Sequence, residues 1–228
     1  MTFLHSELLS PQRCAVVVVD LQNDYCHPDG ALARRGADVG EATTVADNTA
    51  ELLAAARAAG VPCLHLRTEH SDWTDTPAWS TRGAGGDLLN VRADPVAAAG
   101  SWGAGPFRVE AHPDDRVITK HRYSGFAYTS LELSLRARGR ETLVLAGVTS
   151  DTCVRATAFD GRALGFVPVL LSDCTAGGTP ERHRNACAEF ADTLGPVTDS
   201  AQVRSAWKER GRFGHAAATT RSTQAPYA

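Results

Sequence analysis

The feature that most constrains the fold is a set of short apolar runs separated by helical segments. "CAVVVVD" at 14–20 is apolar and β-branched nearly throughout, which predicts a strand buried on both faces, as in a parallel sheet. Further strand-like runs lie at 61–67, 116–120, 142–147, 166–173 and 195–200. Apolar residues recur with helical spacing at 42–60, 129–139, 152–165 and 180–192. This alternation predicts an α/β fold, with a doubly wound, mostly parallel sheet flanked by helices in three Rossmann-like layers.

One domain accounts for most of the chain. With 228 residues, of which 43% are hydrophobic, the chain is long enough to bury one sizeable core. We expect a single α/β domain over residues 1–204. A polar, glycine-rich excursion at 68–115 interrupts it and predicts a lid, an insertion or a subunit contact. The polar segment 205–228 predicts a C-terminal extension.

Charge and cysteine content exclude several classes of protein. The formal net charge is −3, and no basic patch suggests a nucleic-acid partner. The apolar run at 15–19 is far shorter than the ~20 residues of a membrane helix, so no membrane association is expected. The six cysteines form no CxxC pair, which indicates free thiols in a reducing cytoplasm. The cysteines and histidines lack zinc-site spacing, so we expect neither a metal nor a cofactor.

Polar residues cluster where the predicted strands end. Asp20 follows the first strand, Arg67 ends the second, Lys120 ends the third, and the fourth leads through a turn to Cys153. Since ligands bind beyond the carboxyl ends of strands in open parallel sheets, an acid, an ammonium and a thiol are expected at one rim. Each residue also has an ordinary structural role available, as a turn former, a solvated strand end and a small core residue.

The position of Cys153 favours a reactive thiol. It lies in the first turn of a predicted helix, where unpaired backbone N–H groups and the helix dipole stabilise negative charge. A nearby ammonium lowers a thiol pKa further. We therefore expect Lys120 to lower the pKa of Cys153 and Asp20 to take its proton.

Three segments together resemble one superfamily. They are "VVVVDLQNDY" (16–25), "ITKHRYSGFAYTSLE" (118–132) and "LAGVTSDTCVRATAFDGRALGFVPVLLSDC" (145–174). In order and spacing they resemble the isochorismatase-like cysteine hydrolases, which include ureidoacrylate and N-carbamoylsarcosine amidohydrolases. The resemblance implies a catalytic triad of Asp20, Lys120 and Cys153. It also implies a cis peptide between Val148 and Thr149, an oxyanion hole made by the N–H groups of Thr149 and Cys153, and a homodimer or homotetramer.

Departures from individual members narrow the expected chemistry. The stretch "LRTEHSDWTDTP" (66–77) lacks the metal-binding spacing of nicotinamidases, and "KHRYS" (120–124) resembles the ureidoacrylate amidohydrolases most. The carbamoylsarcosine enzymes carry an arginine for the substrate carboxylate, whereas "SDCTAGGTPER" (172–182) offers only Arg182 nearby. This difference leaves a lactam substrate open.

The expected function is therefore a metal-independent cysteine amidohydrolase. It would cleave the C–N bond of a small amide, ureido, carbamoyl or lactam substrate through a thioester. Tyr25, Arg67, Trp73 and Tyr123 lie just past strand ends and are candidates for the substrate pocket. The alternatives are vinyl-ether hydrolysis of the isochorismatase type, a binding protein without turnover, and a redox thiol.

Overall fold

A six-stranded, fully parallel sheet forms the centre of the computed structural model, which describes residues 7–80 and 95–219, the last ten as backbone only. The strands are β1 (Cys14–Val19), β2 (Cys63–Thr68), β3 (Arg116–Lys120), β4 (Thr142–Val148), β5 (Val167–Ala176) and β6 (Val197–Thr198). Their spatial order is β3-β2-β1-β4-β5-β6. The order reverses beside β1, which is the switch point of a doubly wound sheet. The predicted fold class is confirmed.

Helices connect the strands and cover both faces of the sheet. In chain order they are α1 (Asn23–Cys26), α2 (Ala31–Arg34), α3 (Ala42–Ala58), α4 (Pro77–Ser80), α5 (Leu131–Arg136), α6 (Cys153–Ala163), α7 (Pro180–Thr193) and α8 (Ser200–Thr219). Helices α3 and α8 pack on one face, while α5, α6 and α7 contribute to the core on the other. None of the helices in the described ranges has the length and apolar character needed to span a bilayer.

The continuous apolar run of β1 is explained by its central position. All six of its residues are buried, and alternate side chains enter different cores. Val16 and Val18 pack beneath α3, whereas Val17 and Val19 pack beneath α5 and α6. Burial of each such side chain contributes about 1.5–3 kcal/mol.

The C-terminal helix α8 crosses the boundary expected at residue 204. Val203 and Trp207 of this helix are both buried, and the Trp207 indole donates a hydrogen bond to the carbonyl of Leu9 at 3.0 Å. We therefore propose that the domain continues at least to Trp207. Residues 220–228 of the expected extension lie outside the described residues.

Gly147 near the end of β4 is required by a close approach of two strands. Its φ is +106°, and a Cβ there would lie 2.0 Å from the carbonyl oxygen of Val19. The register between β4 and β5 also shifts between Leu145 and Gly147. Any side chain at position 147 would therefore collide with the backbone of β1.

Candidate active site

A buried ion pair forms the base of the site. Asp20 directly follows β1 and Lys120 ends β3, and their side chains are 1% and 0% exposed. The Lys120 Nζ lies 2.8 Å from the Asp20 Oδ2. Burial is the largest influence and lowers the pKa of Lys120, but Asp20 and Cys153 together outweigh it and raise that pKa above its ordinary value. Lys120 is therefore a permanent ammonium.

Thr68 joins the two charged groups across the end of β2. Its hydroxyl donates to the Asp20 Oδ1 at 2.9 Å and accepts from the Lys120 Nζ at 2.7 Å. The fully buried Gln22 in turn fixes Thr68: its amide nitrogen donates to the Thr68 carbonyl, and its oxygen accepts from the Thr68 N–H. These contacts give the Asp20 Oδ1 and the Lys120 Nζ hydrogen-bond partners, whereas the buried Asp20 Oδ2 has its ion pair with Lys120 and no hydrogen bond among the described residues. Neither Thr68 nor Gln22 was predicted from the sequence.

Cys153 completes a group of three. It is the first residue of α6, and its thiol is close enough to the Asp20 carboxylate and the Lys120 ammonium for both groups to shift its pKa. The three residues predicted from the strand ends are thus brought together by the structure.

Lys120 lowers the pKa of Cys153 as expected, but the expected net lowering of this pKa is wrong. Burial raises the pKa of this thiol to about 12; Lys120 lowers it, but Asp20 raises it. The physical reason is that removal of water penalises the thiolate, while the ammonium is already shared with a carboxylate. The resting side chain is therefore a thiol, and its proton must leave as the sulfur attacks.

The turn before Cys153 presents two backbone N–H groups. The Val148–Thr149 peptide is cis, as the resemblance implies. The Thr149 carbonyl accepts hydrogen bonds from the N–H groups of Thr152 and Val154, at 3.0 and 3.2 Å, which closes the turn. Within the described part of the chain, neither the Thr149 N–H nor the Cys153 N–H donates a hydrogen bond to another residue. Both remain available to a developing oxyanion.

Ser150 anchors this turn to its neighbours. Its N–H donates to the Ala176 carbonyl at 2.8 Å, and its hydroxyl lies 2.9 Å from the His183 Nδ1. The His183 Nε2 lies 3.1 Å from the Ser172 carbonyl, which can only accept. His183 therefore donates through Nε2 and accepts the Ser150 hydroxyl through Nδ1. This connection fixes the turn against β5 and α7, and the sequence analysis did not identify it.

A cavity of about 480 Å³ opens onto these groups. Lys120, Thr149 and Cys153 line it together. Its walls also carry aromatic and cationic side chains, namely Tyr25, Trp79, Tyr123, Arg35, Arg122 and Arg182. This volume suits a small molecule.

The four predicted pocket residues divide into two pairs. Tyr25 and Tyr123 line the cavity, whereas Arg67 and Trp73 are not among its lining residues. Arg67 precedes Thr68 in β2, and successive strand residues face opposite sides of a sheet. Its guanidinium lies 4.0 Å from Glu110. Trp73 is 97% exposed. We therefore leave Arg67 and Trp73 out of the proposed pocket.

Two unpredicted side chains shape one wall. The Trp79 ring packs against Tyr123 with centroids 4.9 Å apart, and the Arg122 guanidinium carbon lies 4.9 Å from the centre of the Trp79 ring. Trp79 belongs to the expected lid at 68–115, and Arg122 lies within the quoted "KHRYS" motif. Residues 81–94 of the expected lid lie outside the described residues.

Metal-binding side chains do not cluster in the described ranges. No group of three or more His, Cys, Asp or Glu residues there could hold an ion. His70 and Asp75 near the cavity form a pair at 3.0 Å with each other.

Comparison with known proteins gives consistent matches. The Isochorismatase domain family matches residues 14–202. The chain is 38% identical over 211 residues to the ureidoacrylate amidohydrolase RutB of Methylobacterium radiotolerans, covering 87% of this chain and 81% of that protein. It is 33% identical over 206 residues to the ureidoacrylate amidohydrolase RutB of Acinetobacter baylyi, covering 84% and 82%.

Solved structures share the fold. A cysteine hydrolase from Pseudomonas syringae pv. phaseolicola superposes with a TM-score of 0.77 at 29% identity, covering 87% of this chain and 94% of that one. An N-carbamoylsarcosine amidase from Thermoplasma acidophilum gives a TM-score of 0.66 at 25% identity, covering 82% and 96%.

Proposed function

The chain belongs to the isochorismatase family, and we propose from this membership and its site that it is a cysteine amidohydrolase acting on a small ureido compound. The observation that carries the proposal is a thiol close to both members of a buried Asp20–Lys120 pair, beside two backbone N–H groups without a hydrogen-bond partner in the described part of the chain. The names of the similar proteins support a ureido substrate.

Acylation begins with proton transfer in the group of three. The Asp20 carboxylate accepts the Cys153 proton while the sulfur attacks the ureido carbonyl carbon. The carbonyl oxygen becomes an oxyanion that accepts hydrogen bonds from the Thr149 and Cys153 N–H groups. Asp20 then gives its proton to the departing nitrogen as the C–N bond breaks. An amine or ammonia leaves, and a thioester remains on Cys153.

Deacylation reuses the same acid–base group. Asp20 accepts a proton from water as the oxygen attacks the thioester carbon, and it returns that proton to sulfur as the C–S bond breaks. A carbamoyl thioester gives carbamate in this step, which decomposes to carbon dioxide and ammonia. Lys120 keeps its proton throughout. It holds Asp20 in place and stabilises negative charge on the sulfur.

The test measures ammonia release from ureido acids such as ureidoacrylate. Cys153→Ser is expected to abolish detectable turnover, because a hydroxyl beside one carboxylate is a far weaker nucleophile. Cys63→Ser is the matched control, since Cys63 is also a buried thiol with a pKa raised to about 12 by burial. Full turnover by Cys153→Ser would reject covalent catalysis. Full activity of Cys153→Ala on a vinyl ether would favour that chemistry instead.

The oligomeric state and the cellular location are predictions. All six cysteines are free thiols, which supports a cytoplasmic location. The homodimer or homotetramer implied by the resemblance is to be measured by light scattering. For the described part of the segment 68–115 we propose a lid, because His70, Trp79 and Val96 from it line the cavity.

A further inference from the structure

The cavity carries an excess of cationic side chains. Among the described residues, Arg35, Lys120, Arg122 and Arg182 line it, together with one acidic side chain, that of Asp151. Lys120 pairs with Asp20 at 2.8 Å, Arg182 pairs with Asp151 at 2.6 Å, and Arg35 also has an interaction partner. In the described part of the chain, no carboxylate forms an ion pair with Arg122. Such a cavity attracts an anionic ligand.

The Arg122 side chain is held in one orientation. Its Nη1 donates to the Thr74 carbonyl at 3.0 Å and to the His121 carbonyl at 2.6 Å, and its guanidinium stacks on Trp79. The Nε and Nη2 groups have no hydrogen-bond partner among the described residues, and neither is sealed from solvent. The Nη1 side of the guanidinium is therefore fixed, while the Nε and Nη2 N–H groups can still donate to a ligand.

This arrangement matches a carboxylate. A guanidinium binds a carboxylate through parallel N–H bonds, and pre-positioning reduces the entropy lost on binding. The Arg122 carbonyl also accepts a hydrogen bond from the Lys120 Nζ at 3.1 Å. The same residue thus contacts the catalytic ammonium through its backbone and faces the cavity through its side chain, which sets a fixed spacing between anion and reaction centre.

We propose that Arg122 is a specificity-determining residue that binds the carboxylate of the substrate, so that the protein selects ureido acids over neutral ureido compounds. The choice of a ureido ligand rests on the proposed function, whereas the carboxylate contact rests on the orientation and unpaired N–H groups of Arg122. A carboxylate seated there holds the rest of a short ligand toward Cys153 in the same cavity.

The experiment measures binding in a chain that cannot turn over its ligand. Isothermal titration calorimetry on Cys153→Ala compares 3-ureidopropionate with its neutral amide, 3-ureidopropionamide. The acid is expected to bind at least about tenfold more tightly than the amide, because only its carboxylate can form charge-assisted hydrogen bonds with Arg122. Adding Arg122→Gln is expected to weaken acid binding about 10–100-fold and to change amide binding by less than about threefold.

Matched variants separate a carboxylate contact from general charge or packing. Arg108→Gln removes the same charge at an exposed pair with Asp47 and is expected to keep the preference for the acid. Arg122→Lys keeps the charge without the planar fork and is expected to give an intermediate preference. Thermal unfolding checks that each variant is folded. A merely structural role of Arg122 would weaken both ligands equally.

Three results would overturn the inference. The first is that Cys153→Ala binds the acid no more tightly than the amide, or does not bind the acid at all. The others are that the preference for the acid persists in Arg122→Gln, or that it is lost in Arg35→Gln or Arg182→Gln instead. Failure of the proposed function is distinct, because it would appear as selective acid binding without release of ammonia by the unmodified chain.

Discussion

Two buried carboxylates occupy opposite ends of the sheet and have different surroundings. Asp20 lies beyond the carboxyl end of β1, and Asp115 lies just before the amino end of β3. The Asp115 side chain is 2% exposed and accepts hydrogen bonds from the Arg57 Nη2 at 2.6 Å, the His65 Nε2 at 3.0 Å and the His112 N–H at 2.9 Å. Asp20 instead contacts a hydroxyl and an ammonium and is close enough to the Cys153 thiol to shift its pKa.

The difference lies in what the partners can do. The donors to Asp115 are permanent and outweigh burial, which raises the pKa of this carboxyl; their net effect holds it below its ordinary value. Asp115 therefore stays ionised and acts as a structural connection. One partner of Asp20 is a thiol that can transfer its proton. A buried charge beside a proton that can be transferred makes the group of Asp20, Lys120 and Cys153 suited to catalysis.

Cavity size alone would not separate the two ends. A cavity of about 520 Å³ adjoins Asp115, slightly larger than the one beside Cys153. It contains Cys63, but the lining residues include no lysine. The identity of the groups at the wall, and not the volume, distinguishes the candidate active site.

The largest expected effect comes from Asp20→Asn. An amide cannot accept the thiol proton, so we expect kcat/KM to fall by at least about 10⁴-fold. Steady-state ammonia release on a ureido substrate measures the change, with folding checked by circular dichroism. Activity within tenfold of the parent would remove Asp20 from the reaction.

Asp115→Asn is expected to act on stability instead. Removing the charge leaves Arg57 without its ion-pair partner and weakens the bond to His65. Because the Arg57 side chain is 32% exposed, water can solvate its charge, and the expected cost is about 1–3 kcal/mol. Urea unfolding measures the loss. At a temperature where the variant is folded, its kcat should equal that of the parent, and a large fall in kcat would contradict the assignment of this cluster to structure.

Ser150→Ala tests how the oxyanion turn is held. Loss of the hydroxyl removes the bond to His183, and we expect kcat to fall about 10–100-fold with KM nearly unchanged, because alignment matters most in the transition state. Thr193→Ala, which removes an exposed hydroxyl bonded to the Glu189 carbonyl, is the control. Equal effects of the two variants would exclude a positioning role for Ser150.

The smallest expected effect is a pH dependence of stability that arises from His65, beside Asp115. Burial lowers the pKa of His65 below 6.5 in the folded chain. Its contribution to stability is therefore complete above the unfolded pKa and falls as pH decreases below about 6.5, by at most about 1.4 kcal/mol per pH unit. Urea unfolding at pH 5 to 8 measures this slope, which His65→Gln should reduce. An unchanged slope in the variant would assign it to other groups.

Strand ends could be predicted because the apolar runs that precede them are unambiguous. Asp20 follows a fully buried run, and Lys120 and Cys153 follow two others, so one rim was expected for all three. The length of α8 was not predicted, because one buried tryptophan in a polar segment gives no periodic signal. Residues 195–200 were expected to form a strand, and the structure has only Val197–Thr198.

Contacts between distant polar residues were beyond the sequence. Thr68 acts on Asp20 and Lys120 because the β2–β3 register places it opposite Lys120. Arg67 was expected in the pocket because it lies near a strand end. That position alone does not determine which face of the sheet its side chain occupies. The pKa of Cys153 was misjudged because a sequence gives the charges near a thiol but not the extent to which water is excluded from it.

The proposed reaction passes through a thioester on Cys153, and hydroxylamine tests for this intermediate most directly. Hydroxylamine competes with water for a carbamoyl thioester and converts it to hydroxyurea. We expect hydroxyurea to form at the expense of carbon dioxide while release of the amine product continues at the same rate. Continued amine release with no hydroxyurea, at hydroxylamine concentrations that leave the protein folded, would contradict the account.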